Sequence, residues 1–264
     1  MGMSGSPIPE MPDRSDALVS IITPAFNAAR YVEATIASVR AQSYDNWEML
    51  IVDDCSTDNT VKIVEQAAAM DPRVRLIRQR KNGGPAAARN SALIAARGRW
   101  IAFLDSDDLW LPQKLELQLA FQRSHAAKIT FTAFSRITAD GRTTGRLINI
   151  PERVSYQQLL GNTVIATSTV MVDREMSGEF RMKAMYYDDF GCWLDMLRGG
   201  DAALGLQCDL MRYRVVSQSV SRNKKNSARQ VWRTYRTVEG IGLLRAAWYF
   251  VNYAVNGYLK YRRF

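Results

Sequence analysis

Asp105, Asp107 and Asp108 fall within four positions of one another, directly after the apolar run Trp100 to Leu104. Carboxylates packed this closely repel one another unless a cation or a shared proton relieves the repulsion. The chemistry they point to is oxygen ligation of a hard divalent ion that holds a phosphorylated substrate. The plainer alternative is a solvated turn with an aspartate cap for the helix near Pro112. Two other acid pairs occupy comparable positions: Asp53 and Asp54 close the apolar run Trp47 to Val52, and Asp188 and Asp189 open a stretch running through Trp193, Met196 and Leu197. The second pair either complements the dipole of the helix it opens or belongs to a site. Cys55, Cys192 and Cys208 are widely spaced, and His125 is the one histidine, which argues against zinc and against a disulfide framework.

The elements that must position these acids are legible in the hydrophobic pattern. Val19 to Thr23 reads as a first strand ending at Pro24, Ala25, Phe26 and Asn27; a helix follows over Arg30 to Ala41. Trp47 to Val52 is a second strand, Val61 to Met70 a helix, Val74 to Arg78 a third strand, and Pro85 opens an Ala-rich helix to Arg97. Trp100 to Leu104 is the fourth strand. Strand and helix alternating in this way predict a parallel sheet covered on both faces, with the loops after its strands gathered at one edge, where ligands of open α/β sheets bind. Beyond it the pattern predicts a helix over Lys114 to Ser124, a hairpin turned at Asp140-Gly141, a strand over Ile165 to Val172, a helix ending at Gly199-Gly200 and a strand from Ala202 to Val216.

The net charge of +9 is all in the tail, because Met1 to Ser221 carries 25 basic and 25 acidic residues and Arg222 onward carries 10 and 1. A neutral body counts against a nucleic-acid surface spread over the fold. Residues 1–16 are polar and proline-rich and read as a disordered arm, residues 17–221 as one α/β domain, and residues 222–264 as a basic helical tail. In the tail, Leu244, Trp248, Val251, Val255 and Leu259 share one helical face, and Arg245, Asn252, Asn256, Lys260 and Arg263 the opposite one. Such a helix suits an anionic membrane surface, or packs on the body with its basic face solvated. No stretch reaches the ~18 apolar residues of a membrane span, and no signal peptide pattern is visible, so the expected location is cytoplasmic, peripheral on the inner face of the plasma membrane.

Five motifs in order carry a resemblance to the family-2 glycosyltransferases of the GT-A fold. They are Val19-Ser-Ile-Ile-Thr-Pro-Ala-Phe-Asn27, Ile51-Val-Asp-Asp-Cys-Ser-Thr-Asp-Asn-Thr60, Asn82-Gly-Gly-Pro-Ala-Ala-Ala-Arg-Asn90, Phe103-Leu-Asp-Ser-Asp-Asp108, and Asp188-Asp189 followed by Trp193-Leu194. A lone Asp-x-Asp would be weak; five ordered motifs are far more specific. Tyr186 to Phe190, Tyr213-Arg214, Ser219 to Ser221, Asn223 to Lys225 and Trp232 to Gly257 resemble bacterial polysaccharide transferases of the teichuronic-acid type.

The resemblance implies a Rossmann-like, mostly parallel central sheet flanked by helices, with an amphipathic helical extension at the carboxyl end. It also implies an inverting transferase that moves a sugar from a nucleotide-diphosphate donor, by preference a UDP-sugar, to a hydroxyl of a polyprenyl-diphosphate-linked saccharide. Pro24, Phe26 and Asp54 match positions around the uridine, where carboxylate oxygens facing the imide N–H would discriminate against cytosine. Arg89, Asp105 and Asp108 match the rest of the nucleotide-sugar site, Asp107 the ligand of Mn2+ or Mg2+, with Asp108 as the alternative ligand, and Asp189 the general base. Asp188 and Trp110 match positions beside the acceptor or behind the residues that touch it. Many family members carry a metal-closing histidine where this chain has Val216. One carboxylate, the diphosphate and water would then hold the ion, and weak binding is expected. The non-enzymatic alternative is a nucleotide-sugar-binding or scaffold subunit of a polysaccharide assembly complex.

Overall fold

The computed structural model describes residues 18–216 and 224–261. The amino-terminal arm read from the sequence lies outside them, as do Ser219 to Ser221 and Arg263. The first half alternates as predicted: β1 (Val19–Ala25), α1 (Val32–Arg40), β2 (Trp47–Asp53), α2 (Thr60–Met70), β3 (Val74–Arg78), α3 (Gly84–Ala95) and β4 (Trp100–Phe103). The second half comprises β5 (Leu109–Trp110), α4 (Lys114–Ser124), β6 (Ile129–Ile137), β7 (Thr144–Ile148), β8 (Arg153–Ser155), α5 (Tyr156–Gly161), β9 (Met171–Asp173), α6 (Arg174–Ser177), α7 (Asp188–Leu197) and β10 (Ala202–Arg214). The tail forms α8 (Lys224–Arg233) and α9 (Leu243–Tyr261), joined by a π-helical turn over Thr234–Val238.

One sheet runs through the molecule in the order β3-β2-β1-β4-β9-β6-β10-β5, with β7 beside β6 and β8 beside β10. The pairs among β1 to β4 are parallel, so the loops after β1, β2 and β4 share an edge. From β9 onward the sheet is mixed: β9 runs antiparallel to both neighbours, and β10 is parallel to β6 but antiparallel to β5 and β8. The central strands are buried along nearly their whole length, which is why they read as continuous apolar runs. Pro24 is tolerated because β4 pairs only with Val19 to Ile22. The Ile22 carbonyl accepts from Leu104 N, so Pro24, two residues on, faces the same side just past the last rung, where a missing N–H costs nothing.

Two sequence-based expectations change. The strand predicted over Ile165 to Val172 is only Met171–Asp173, preceded by a 3-10 turn over Thr167–Thr169. Threonine chemistry explains it: both N–H and Oγ1 of Thr169 donate to the Ala166 carbonyl, and Val170 N donates to Thr167, which draws the backbone out of the ladder. Of the two arrangements open to the tail helix α9, packing on the body with the polar face solvated does not hold. Asn252 and Asn256 lie on its partly buried side, whereas Leu244, Trp248, Val251 and Val255 are exposed. Asn256 Nδ2 donates to the Gly161 carbonyl at 3.0 Å, answering a carbonyl in the last turn of α5 that has no intrahelical partner. Tyr235, fully buried, donates its hydroxyl to the Leu160 carbonyl, and Val231 and Ala246 complete the contact of the tail with the main core.

Gly98, between α3 and β4, is held against β1 by donating its N–H to Ser20 Oγ at 2.8 Å. A Cβ there would stand 2.5 Å from the Leu18 carbonyl oxygen and 2.9 Å from Ser20 N. Since backbone atoms cannot swing aside, Gly98→Ala is expected to lower the unfolding free energy by about 1–3 kcal/mol in denaturant titration.

Candidate functional site

The loops after β1 and β2 are clasped to one another by short polar side chains. Asn27 N donates to Ser56 Oγ at 2.9 Å, Thr57 N to Asn27 Oδ1 at 2.8 Å, Ala28 N to Thr60 Oγ1 at 2.7 Å and Ala29 N to Asp58 Oδ2 at 3.1 Å. Asn27 and Cys55 take positive φ, 49° and 65°, at the bends. Asp53 accepts from Ser56 N and stays inside the turn. The clasp leaves Phe26 exposed at the strand end, 52% accessible and so not a core residue.

Asp54 is buried and anchors the next loop. Its Oδ1 accepts from Gly83 N at 2.8 Å and its Oδ2 from Gly84 N at 2.7 Å, while Asn82 Nδ2 donates to its carbonyl. Gly84 has φ 79°, and a Cβ on Gly83 would lie 2.7 Å from that of Ala87, so both glycines are required by the turn that starts α3. One side of each carboxylate oxygen is thereby used, and the second lone pairs remain.

Two turns into α3, Arg89 is buried between acids from two distant segments. Its Nη2 lies 2.5 Å from Asp105 Oδ1 and its Nη1 2.7 Å from Asp188 Oδ2. Burial works against the guanidinium charge, but Asp105, Asp188 and Asp189 overcome it and hold the pKa above its ordinary value. The loop after β4 and the start of α7 are thus joined through one side chain.

The loop carrying the three acids is tied from several sides. Thr35 Oγ1 donates to the carbonyls of Ser106 and Asp108, both at 2.9 Å, and Asp105 N donates to Ser168 Oγ at 3.0 Å. From the end of β10, Arg214 N donates to Asp108 Oδ1 at 2.9 Å and Arg214 Nε to the Asp107 carbonyl at 2.7 Å. Trp110 is buried beneath, its Nε1 donating to the Ser168 carbonyl at 2.8 Å with Lys114 Nζ 3.7 Å from the centre of its ring.

The acids consequently differ. Asp108 is buried and engaged by Arg214; burial and the charges of Asp107 and Asp105 push its pKa well above the carboxylate range. Asp107 is half-buried, and burial, then Asp105, push it up to about 6. Its carboxylate accepts from its own N–H, and the charge of Arg214 pulls the pKa partly back. Among the described residues no group of three or more His, Cys, Asp or Glu side chains closes on one point. The donors present are nonetheless hard oxygens whose mutual repulsion a divalent ion would relieve, and Asp107 with Asp105 beside it suits an ion that completes its shell with phosphate and water.

Asp189 stands on the first turn of α7, half-buried. Its Oδ2 accepts from Thr167 Oγ1 at 2.6 Å and its Oδ1 from Phe190 N at 2.7 Å. Burial, then Asp188, raise its pKa, against the pull of Thr167, Arg89 and Phe190. Asp188 and Trp110 are buried, so both stand behind whatever occupies the crevice. Thr35, Thr167, Ser168 and Arg214 had no role assigned from the sequence. The available signal was polar residues interrupting an apolar run at Thr167 and Ser168, and an arginine ending a long strand at Arg214.

The model of glycosyl transferase family 2 matches residues 20–183. The chain is 43% identical to the Bacillus subtilis (strain 168) glycosyltransferase TuaG, named for teichuronic acid biosynthesis, over 92% of this chain and 97% of that one. It is 34% identical to an Escherichia coli UDP-Glc:alpha-D-GlcNAc-diphosphoundecaprenol beta-1,3-glucosyltransferase, WfgD, over 93% and 96%. Among solved structures it is similar to S. aureus TarS in complex with UDP, with TM-score 0.62 and 19% identity over 83% of this chain and 72% of that one. The mannosyltransferase PcManGT of Pyrobaculum calidifontis, in complex with GDP-Man and Mn2+, superposes with TM-score 0.67 and 18% identity over 95% and 77%. These two likenesses establish the GT-A fold.

Arg89→Met would leave Asp188 buried and unpaired, and Asp105 without its partner. A loss of about 3–5 kcal/mol of stability at neutral pH is expected in chemical denaturation. Arg89→Lys, which cannot span both acids with two planar N–H groups, should recover only part of it.

Proposed function

Because the chain belongs to glycosyl transferase family 2, we propose that it is an inverting, metal-dependent transferase of bacterial surface polysaccharide synthesis, moving a sugar from a UDP-sugar to a hydroxyl of a lipid-linked saccharide. It would work at the cytoplasmic face of the plasma membrane, where such acceptors reside. The observation that carries this reading is Arg89, which brings the acids after β4 and the acid pair of α7 to the two ends of one guanidinium. That link supports reading the loop after β4 as the donor-phosphate side and the start of α7 as the side of the proton-accepting carboxylate.

The residues then have separable tasks. Phe26 offers an exposed aromatic edge to the nucleoside and Pro24 ends the strand beside it. Asp54, fixed by Gly83 and Gly84, presents its remaining lone pairs to the uracil imide N–H. Asp105, oriented by Arg89 and Ser168, lies on the ribose side; Asp107 is the ligand for Mn2+ or Mg2+, and Asp108 braces the loop through Arg214. A bound divalent ion would neutralise charge developing on the departing diphosphate. Asp189 takes the proton of the acceptor hydroxyl, and Thr167 and Phe190 N fix which lone pair it offers. In-line attack needs only this one base and inverts the anomeric carbon.

Asp189→Asn is expected to abolish transfer while UDP-sugar binding, followed by calorimetry, survives; normal turnover by that variant removes the assignment. Since burial and Asp188 raise the Asp189 pKa, the basic form is lost at a higher pH than for an ordinary carboxylate, and kcat should fall on the acid side accordingly. Thr167→Val removes a hydrogen bond that opposes the shift, so the acid limb of its kcat profile should move to still higher pH. A screen of UDP-, GDP- and TDP-sugars with Mn2+ or Mg2+, reading released nucleotide, identifies the donor; release from none of them would favour the scaffold reading.

A further inference from the structure

The exposed side of α9 is apolar almost without interruption. From Leu244 to Val255 the exposed residues are Leu244, Arg245, Ala247, Trp248, Val251, Ala254 and Val255, with Arg245 the one charge. Leu244 is 87% accessible, Trp248 67% and Val251 59%. Asn252 and Asn256 lie on the partly buried side, Asn256 donating to the Gly161 carbonyl and Asn252 to the Trp248 carbonyl of its own helix, which is the reverse of the usual surface helix. We infer that this face lies in the surface of an anionic lipid bilayer, its apolar strip among the acyl chains and the surrounding arginines at the headgroups.

Charge and size both select that occupant. The tail carries ten basic residues and one acid, Glu239, whose side chain is fully buried against Arg198 and accepts from Tyr156. Arg229, Arg233, Arg236 and Arg245 are exposed. The exposed charges of the described tail are therefore basic, and they share that segment with an apolar strip, the combination of a helix lying in a membrane interface. Leu244 to Val255, eleven steps at about 1.5 Å rise, make a strip about 17 Å long and about 10 Å wide, roughly 200 Å², far less than the ~800 Å² each partner gives to a stable dimer. Position agrees too. Trp248 also lines an open groove of about 460 Å³ between α5 and α9, whose lining includes Val164. Val164 is three residues before Thr167, the partner of Asp189, so chain geometry keeps the groove within about 10 Å of that threonine. The inference rests on the lipid-linked acceptor reading for its purpose, but its test does not depend on transfer.

The full chain is mixed with vesicles of phosphatidylcholine alone or with added phosphatidylglycerol and floated, with donor turnover measured in parallel without lipid. Flotation with the anionic vesicles, weaker flotation with the neutral ones, and a loss of about tenfold or more in partition for Val251→Asp are expected, since one aliphatic side chain no longer enters the lipid. Val251 is exposed, so Val251→Asp should keep the wild-type melting transition and donor turnover. Equal flotation of wild type and variant, or no flotation of a chain with normal turnover, would overturn the inference. A lipid-free dimer in sedimentation that Val251→Asp splits would overturn it as well, in favour of a second copy on the strip. Absence of turnover with intact flotation would instead count against the transferase reading.

Discussion

A buried guanidinium shared by two carboxylates is the constraint on which the rest of this site depends. Arg89 reaches Asp105 at 2.5 Å and Asp188 at 2.7 Å, joining segments almost a hundred residues apart in the chain. Asp105, Asp107, Asp108, Asp188 and Asp189 crowd one region, and the buried cations Arg89 and Arg214 compensate only part of their charge. Burial first, and then the neighbouring carboxylates, raise the pKa values of Asp107, Asp108 and Asp189. Breaking such a pair costs more than forming it contributes, because the partner is left charged and buried. A site arranged this way is short of positive charge until its ligands supply it.

The supporting contacts decide which acids stay available. Asp54 is occupied by Gly83 and Gly84, Asp53 by its own turn, and Asp108 by Arg214. Asp107 has no such brace from another residue's hydrogen bond among the described residues, and Asp189 is held by a threonine and a backbone N–H. The difference between a bracing carboxylate and a reactive one therefore lies in neighbours supplied by α1, β10 and the turn at Thr167, not in the acid motifs themselves. The tail adds a second division of labour: its amide and aromatic side secures α9 to α5 and the core, and its apolar side is left outward.

Much of this was legible in the residues. Continuous apolar runs closed by acids at Val52 and Leu104 disclose parallel strands whose ends face a common crevice, since only strands buried on both faces are so uniformly apolar. The five ordered motifs disclose the family. Less visible was anything decided by contacts between distant segments. Thr167 and Ser168 sit in a stretch that reads as strand, because β-branched residues favour strands until their hydroxyls find local carbonyls. Arg214 stands out as an arginine closing a long strand, but its local sequence does not say that it braces a loop 106 residues earlier. The orientation of α9 stays open in the sequence for a related reason. A helical wheel assigns faces but not directions, and the carbonyl of Gly161 drew the asparagine side inward.

The central claim, that Asp107 and its neighbours form a diphosphate site completed by a divalent ion, is tested most directly by titrating UDP calorimetrically into the wild type and into Asp107→Asn, each with and without Mn2+. The account predicts that Mn2+ tightens UDP binding to the wild type and that the coupling disappears in the variant. UDP affinity unaffected by Mn2+ in the wild type, or coupling retained in full by Asp107→Asn, would contradict it.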